Sequence, residues 1–390
     1  MNIDELQSLM KELGQPAYRA IQVFEWLHQR FPMVVSDTTA KSMRNSPLPS
    51  RNCERFNALS ATGGTDFELF CFICETFSFT GMDNLPVSLR ADLEKRCYIT
   101  PVSIQEELRA KDGTVKFLLA VGGNEPVPSR VLVESVLMEY THGHSVCIST
   151  QAGCRMGCRF CATGNSGLIR NLSAGEMCMQ VYAATESNAE NRRIRNVVLM
   201  GCGEPLDNFD ATLRFIEIIT HPKGAGISQR HITLSTCGLV PEIHELAKQK
   251  LQITLAVSLH GPDDATRQAL MPIAKAYPIK ELMAACREYA NITRRRISFE
   301  YALTEGINDN PAQARALAKI LKGLLCHVNL IPINPVGFTA LSPTKKREAT
   351  AFASILQDAN IPTTIRRTIG AEVNAACGQL RATKLRTCIQ

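Results

Sequence analysis

Residues 145–164 read SVCISTQAGCRMGCRFCATG. An apolar, β-branched run, SVCIST, leads through a polar turn into Cys154, Cys158 and Cys161, spaced C-x3-C-x2-C. Thiolates this close converge only where the backbone wraps around a small object. Soft sulfur ligands select zinc, copper(I) or an iron–sulfur cluster. Structural zinc takes four ligands, usually from two separated pairs, and no matching second pair stands near this loop. Three thiolates on a four-iron cluster leave one iron open to hold something else. On spacing alone, a structural zinc loop is the alternative.

Outward from this stretch a rhythm appears. Apolar runs at SVCIST, NVVLMG, HITLST, ITLAVSL, RISFEYAL and HVNLIPI alternate with helical patterns such as SAGEMCMQVYAATESNA, FDATLRFIEIIT and PAQARALAKILKGLL. Such alternation predicts an α/β fold, a parallel sheet covered by helices. Six units fall short of the eight that close a barrel, so the expectation is an open, partial (βα)6 barrel with its chemistry at the C-terminal strand ends. The unusual loops stand at those ends. The cysteine loop follows the first strand, GCGEPLDN (201–208) the second and STCG (235–238) the third, while SLHGP (258–262) closes the fourth and NPVG (334–337) follows the sixth. They form one candidate site. Gly203 lets backbone approach a cofactor, and Glu204 is placed to accept from a cofactor amino group. Ser235, Ser258, Leu259, His260 and Asn334 line up at successive strand ends and suit a ribose and an adenine. Each taken singly reads equally well as a cap or turn residue.

The rest of the chain bounds the class. With 390 residues, 45% hydrophobic and 21% charged, it has the composition of a soluble globular protein. No run reaches the roughly 18 apolar residues of a membrane span, and the N-terminus reads as an amphipathic helix, so a cytoplasmic protein is expected, with an organellar enzyme of bacterial type as the alternative. Fifteen cysteines without a secretion signal argue against a disulfide scaffold. Residues 1–30 read as two short helices joined by GQP, and NLPVSLRADLEKR as another; 31–76 lack periodicity and read as an atypical insert, whose Cys71 and Cys74 read as buried thiols. EELRAKDGTVKFLLAV is a hairpin pattern around Asp112–Gly113. The expected organisation is a small N-terminal helical accessory domain (1–100), a β-hairpin linker (101–140), the barrel (141–370) and a C-terminal segment (371–390). Net charge is +6, with basic runs at 192–195, 294–296, 345–347 and 381–386. Each run alone is a solvated face; four together point to a polyanionic partner.

The cysteine loop behind the first strand of a partial barrel resembles the radical S-adenosylmethionine superfamily, in which the open iron of a [4Fe–4S] cluster holds the amino acid part of the cofactor. The segments VLVESVLMEYTHGHSVCISTQAGC, RFCATGNSGLIRNLSAGE, GCGEPLDN, SLHGPDDATRQALMPI, FEYALTEGIND, CHVNLIPINPV and AACGQLRA together resemble the RlmN and Cfr family of ribosomal RNA adenosine methyltransferases, across 77–386. The resemblance implies a [4Fe–4S] cluster on Cys154, Cys158 and Cys161 and two molecules of S-adenosylmethionine. One molecule methylates the cysteine matching Cys377; the other is cleaved to a 5′-deoxyadenosyl radical that takes hydrogen from that S-methyl group. The methylene radical adds to an adenine carbon, Glu134 matches the proton acceptor, and Cys147 resolves the protein–RNA adduct, leaving a transient disulfide. A covalent route suits a carbon that is not nucleophilic. Cys377 must be a thiolate to accept its methyl group, with Arg366, Arg367 and Arg381 as candidate positive neighbours.

Pro205 and IPINPV look like the carbon-2 branch, since the carbon-8 branch tends to carry Ala at the position of Pro205. The implied partners are 23S ribosomal RNA, transfer RNA at the adenosine 3′ of the anticodon, and an electron donor such as flavodoxin. The N-terminal domain would dock RNA, and the chain would act as a monomer away from membranes. The sequence departs from the family at Cys202, where Met or Ile is usual, and at 31–76, which has no counterpart. Two alternatives stay open: a carbon-8 methyltransferase of the Cfr type, and a non-enzymatic iron–sulfur or zinc RNA-binding protein, which would leave GCGEP, Glu134 and Cys377 idle.

Overall fold

The structure is a computed structural model, and it describes residues 1–30, 79–99, 102–122, 131–141, 143–188, 194–333 and 341–366. The 31–76 insert, Asn334 and the 371–390 segment with Cys377 lie outside the described residues.

Helices α1 (Ile3–Glu12), α2 (Tyr18–Glu25) and α3 (Val87–Arg96) precede the sheet. Asn2 caps α1 reciprocally with Glu5: the Glu5 N–H donates to Asn2 Oδ1 at 2.9 Å, and the Asn2 N–H to Glu5 Oε2 at 3.0 Å. The hairpin expected around Asp112–Gly113 is present as β1 (Val102–Arg109) and β2 (Val115–Val121), with Gly113 at φ +81°. It is no free-standing linker. β2 pairs with β3 (Val131–Tyr140), and β3 with β4 (Gly143–Cys147), all antiparallel, so 101–140 extends the main sheet.

From β4 the sheet turns parallel. β7 (Ile194–Leu199), β8 (Ile232–Thr236), β9 (Thr254–Ser258), β10 (Ile297–Leu303) and β11 (Cys326–Pro332) follow in spatial order and are, with β4, the six strands read from the sequence. The crossovers are α4 (Ala174–Glu186), α5 (Phe209–Thr220), α6 (Val240–Lys248), the pair α7 (Asp264–Leu270) and α8 (Ile279–Thr293), α9 (Pro311–Leu321) and α10 (Lys346–Asp358). Beyond β11 the sheet gains β12 (Thr363–Ile365), which pairs with β11 and makes ten strands in one open sheet. Capping boxes at Ser173–Glu176 and Asn310–Gln313 start α4 and α9.

The two faces of the sheet differ in chemistry. Ile297, Phe299, Tyr301 and Leu303 of β10 and Val328 and Leu330 of β11 are buried in the core that the helices cover. The alternate positions, Ser298, Glu300 and Ala302 with His327 and Asn329, line an interior cavity. A parallel strand buried on both faces is normally apolar on both; here one face is polar, which marks it as a site. Leu6, Phe24 and Met82 of the N-terminal unit join the same hydrophobic cluster as the barrel. Around that contact, His28 Nδ1 lies 2.7 Å from the Tyr182 hydroxyl, and Lys223 pairs with Glu25 at 2.8 Å. Among the described residues no helix is long and apolar enough to cross a membrane.

Candidate functional site

A cavity of about 660 Å³ runs along the polar face of the sheet and opens among the loops at the C-terminal strand ends. Cys154, Cys158 and Cys161 line it together with Cys147, Gly203, Glu204, Ser235, Ser258 and His260. The structure therefore brings nearly every described residue of the sequence reading to one place. Leu259 and Glu134 are the exceptions: Leu259 is buried in the core and contributes backbone, its N–H donating to Glu300 O at 3.0 Å, and Glu134 is buried on β3 and is not among the residues that line the cavity.

The cysteine loop does not follow β4 directly. A short strand, β5 (Gln151–Cys154), intervenes and pairs antiparallel with β6 (Gly167–Asn171), so Cys154 ends a ribbon that carries the loop. Gly153 is required there: at φ +86° a Cβ would sit 1.9 Å from Gly167 O. The loop turns through Cys161 N–H donating to Cys158 O (3.1 Å) and Gly164 N–H donating to Cys161 O (3.2 Å). The Arg159 N–H donates to Leu270 O at 2.9 Å, docking the loop on the end of α7. Gln151 donates to Asn171 Oδ1 and Asp207 Oδ2, each at 2.8 Å, and Arg155 pairs with Asp207. These polar partners carry no sequence signature beyond their residue types.

Burial pushes Cys154 up to about 12 and raises Cys158 as well, the neighbouring cysteines adding to both. Left alone, these two thiols stay protonated at neutral pH; a thiophilic metal centre would displace those protons and be held by the resulting thiolates. Among the described residues no group of three His, Cys, Asp or Glu is placed to hold a single metal ion. Three thiols around one cavity, not gathered on one point, fit a multi-iron cluster, whose cysteines ligate different irons.

The GCGEP turn is shaped by the chain itself. A Cβ on Gly201 would lie 2.6 Å from Ile148 O, and one on Gly203, at φ +110°, 2.7 Å from Gln151 N. The glycines admit the segment between β4 and β5 as well as bordering the cavity. Glu204 is buried, and burial raises its pKa against the lowering effect of backbone donors. Its Oε2 accepts from Cys237 N–H at 2.7 Å and its Oε1 from Leu206 N–H at 3.1 Å, which ties the β7 loop to the β8 loop. The side chains of Thr236 and Cys237 hydrogen-bond to the same carboxylate.

His260 sits at φ +54°, and its Nδ1 accepts from Ala302 N–H at 2.9 Å. Burial lowers its pKa to about 3, so the imidazole is neutral and carries its proton on Nε2. Asn308 holds this turn, donating to His260 O (2.8 Å) and Ala302 O (2.7 Å) and accepting from Thr304 N–H (2.8 Å). The ring of Phe160, inside the cysteine loop, meets His260 edge-on at 4.6 Å. Asn308 was missed in the sequence, where it reads only as a turn residue.

Cys147 ends β4 as a buried residue, opposite Val136 of β3 and Val198 of β7. Glu134 is two residues before Val136 on β3, and Lys116 Nζ lies 3.0 Å from its Oε2 with both side chains out of solvent. Lys116 was also missed. It stands in register with Val136, in the same cross-strand row as Cys147.

Comparison with known proteins agrees with this geometry. The Radical SAM superfamily model matches residues 148–317. A "Probable dual-specificity RNA methyltransferase RlmN" of Clostridium botulinum is 42% identical over 386 residues, covering 99% of this chain and 96% of the relative. The protein of the same description from Clostridium acetobutylicum is 48% identical over 307 residues, covering 78% and 87%. A crystal structure of a radical SAM methyltransferase from Sphaerobacter thermophilus superposes with a TM-score of 0.81 at 39% identity, covering 98% of both chains. With its cysteine loop at the head of a partial barrel and near full-length relatives, the chain belongs to the RlmN family of radical SAM RNA methyltransferases.

Proposed function

We propose that this enzyme methylates carbon 2 of an adenosine in 23S ribosomal RNA, and of transfer RNA at the adenosine 3′ of the anticodon, through a methyl group carried on Cys377. The observation that carries this reading is the position of Cys147. Its buried thiol ends the first parallel strand and lines the cavity that Cys154, Cys158 and Cys161 also line. Cys237 also lines this cavity, but Cys147 stands on β4 in the cross-strand row of Val136 and Lys116, beside the strand that carries Glu134.

The family works with a [4Fe–4S] cluster and S-adenosylmethionine, which together supply a one-electron cleavage that generates a 5′-deoxyadenosyl radical. Cys154, Cys158 and Cys161 hold the cluster. Gly203, Glu204, Ser235, Ser258, the Leu259 backbone, His260 and Asn334 hold the cofactor, the neutral His260 offering an Nε2–H donor. Cys377 carries the methyl group, and Glu134, fixed by Lys116, takes the proton released from the adenine carbon. Cys147 attacks the sulfur of the Cys377 adduct; the bond from that sulfur to the methylene carbon breaks, the carbon keeps the electron pair and takes a proton to become the methyl group, and the two cysteines are left as a disulfide that a reductant reopens. The 1–100 unit and the basic runs contact RNA phosphates, and the target base is drawn out of its stack to reach the cavity. The protein works in the cytoplasm as a monomer, with a flavodoxin-type electron donor.

The test is nucleoside mass spectrometry of 23S RNA incubated with the anaerobically reconstituted protein, S-adenosylmethionine and a reductant. 2-Methyladenosine is expected, with Cys377→Ala producing none and Cys147→Ala accumulating a protein–RNA adduct. 8-Methyladenosine refutes the carbon-2 assignment. Cofactor cleavage without any RNA methylation refutes the substrate.

A further inference from the structure

Arg267 lies on α7, the helix whose last residue, Leu270, receives the cysteine loop, and is among the largest fully buried side chains of the described residues. Its Nη2 donates to Cys237 O at 2.5 Å and its Nη1 to Tyr277 O at 3.2 Å, while its Nε is buried without a partner. Among the described residues it makes no ion pair. Asp264, the acidic residue nearest in sequence on α7, is instead engaged by the Ile279 N–H at 2.7 Å. A guanidinium that has left water and found only carbonyl partners is a costly thing for a fold to keep. Something anionic is expected to compensate it.

The structure places the anion's site next door. The helix that carries Arg267 also receives the cysteine loop, through the Arg159 N–H bond to Leu270 O. A Cβ on Gly238, in the STCG loop bordering the cavity, would fall 2.9 Å from Arg267 Nη2. Cys237, whose carbonyl accepts from Arg267 Nη2, itself lines the cavity that Cys154, Cys158 and Cys161 line.

We propose that Arg267 is the buried countercharge of the iron–sulfur cluster: a positioning residue that sets the reduction potential and holds the loaded loop, and touches no substrate. This rests on the cluster-binding reading above. A four-iron cluster with three thiolates is anionic and gains one further negative charge on reduction, so a fixed cation beside it favours the reduced state and raises the potential. Without the cluster the same cation has no ion-pair partner among the described residues.

The test uses the full chain, apo and reconstituted, as wild type, Arg267→Met and Arg267→Lys. Iron content, the midpoint potential from an EPR-monitored redox titration, and the thermal midpoint of each form are measured. In R267M the potential shifts downward. Cluster loading then stabilises the protein less than in the wild type, because the apo form is relieved of an unpaired charge while the loaded form loses its counterion. R267K keeps the charge but not the fork, so it retains the wild-type potential and the wild-type gain on loading, with both forms losing stability alike. An R267M protein with unchanged potential, or with equal losses in apo and loaded forms, makes Arg267 a purely structural prop and overturns the proposal. If R267M does not fold, R267K decides: a lowered potential or a reduced gain on loading overturns it, and retention of both supports it. A wild type that takes up no iron overturns the cluster-binding reading as well, so the two failures are distinguishable.

Discussion

Lys116→Met isolates the buried ion pair on which the proposed proton acceptor depends. The Lys116 and Glu134 side chains are 0% and 3% exposed, with Nζ 3.0 Å from Oε2. Two unit charges at such a separation attract by on the order of 5 kcal/mol at an effective dielectric constant of about 20. Much of this offsets desolvation, so the pair itself adds little net stability, but breaking such a pair by removing one partner costs about 3–5 kcal/mol. At about 2.1 cal/mol/K of unfolding entropy per residue, a 390-residue chain unfolding as one unit loses about 4–6 °C from its midpoint. The double variant Lys116→Met/Glu134→Leu replaces both charges with apolar groups and is expected to recover most of that loss. Calorimetry of the three apo proteins reads both effects. A K116M midpoint within about 1 °C of wild type, or a double variant no more stable than K116M, refutes the reasoning, because the buried carboxylate would then lose nothing with its cation. Below the unfolding range, K116M should still generate 5′-deoxyadenosine while methylating RNA poorly, since Glu134 no longer has the partner that fixes it.

Gly153→Ala forces a Cβ to within 1.9 Å of Gly167 O at a positive φ, so the β5–β6 ribbon must open; expected is a folded protein, by circular dichroism, that loses most of its iron. Asn308→Ala removes two donations to carbonyls and one acceptance from an N–H around His260. At about 1–3 kcal/mol for stranding such a group, an increase of roughly tenfold in the KM for S-adenosylmethionine is expected, one decade being about 1.4 kcal/mol. An N308A enzyme with wild-type KM contradicts the clamp. Burial holds His28 down to about 3 against an ordinary 6.5, and His260 likewise. The unfolded state therefore binds more protons between these values, and stability present above about pH 6.5 is lost as pH falls toward 3, by up to about 1.4 kcal/mol per pH unit for each histidine. Substituting His28 by Leu should flatten the acid limb of a stability–pH profile; an unchanged slope would count against this assignment.

The parallel half of the fold was legible because its signals are local. RISFEYAL shows the two faces directly: Ile297, Phe299 and Tyr301 enter the core, and Ser298, Glu300 and Ala302 face the cavity. Gly-marked turns and capping boxes punctuate the helices that follow. β12 was not legible, since Thr363–Ile365 is three residues long with two threonines and is a strand only because β11 offers it an edge. β3 also escaped the pattern, because VLVESVLMEY is buried on both faces through its middle and shows no clean alternation. With β3 unread, the hairpin before it had nothing to join and looked like a linker.

The site divides along the same line. Cysteine spacing, Gly201 and Gly203, and the polar residues at strand ends are visible as short motifs. What holds them in place is not, because each clamp pairs residues far apart in sequence. Ser149 is the clearest instance. Its N–H donates to Gln180 Oε1 (2.8 Å), and its carbonyl accepts from Gln180 Nε2 (2.9 Å). Its hydroxyl donates to Glu134 O (2.6 Å) and accepts from Cys202 N–H (2.9 Å). One serine thus joins β3, α4 and the GCGEP turn just past Cys147. Nothing in ISTQ marks it, and Gln180 reads as a stray polar residue in an apolar helix. The pairing has physical force, since a buried amide or hydroxyl left without these partners would cost about 1–3 kcal/mol. Chemistry that brings Cys147 to a substrate held over the cysteine loop needs the two set at a fixed separation. Neither the strand nor the loop fixes it alone; the hydrogen bonds of Ser149, with the backbone bonds from Gly201 N–H to Ile148 O and from Thr150 N–H to Cys202 O, couple the end of β4 to the turn on which Glu204 stands.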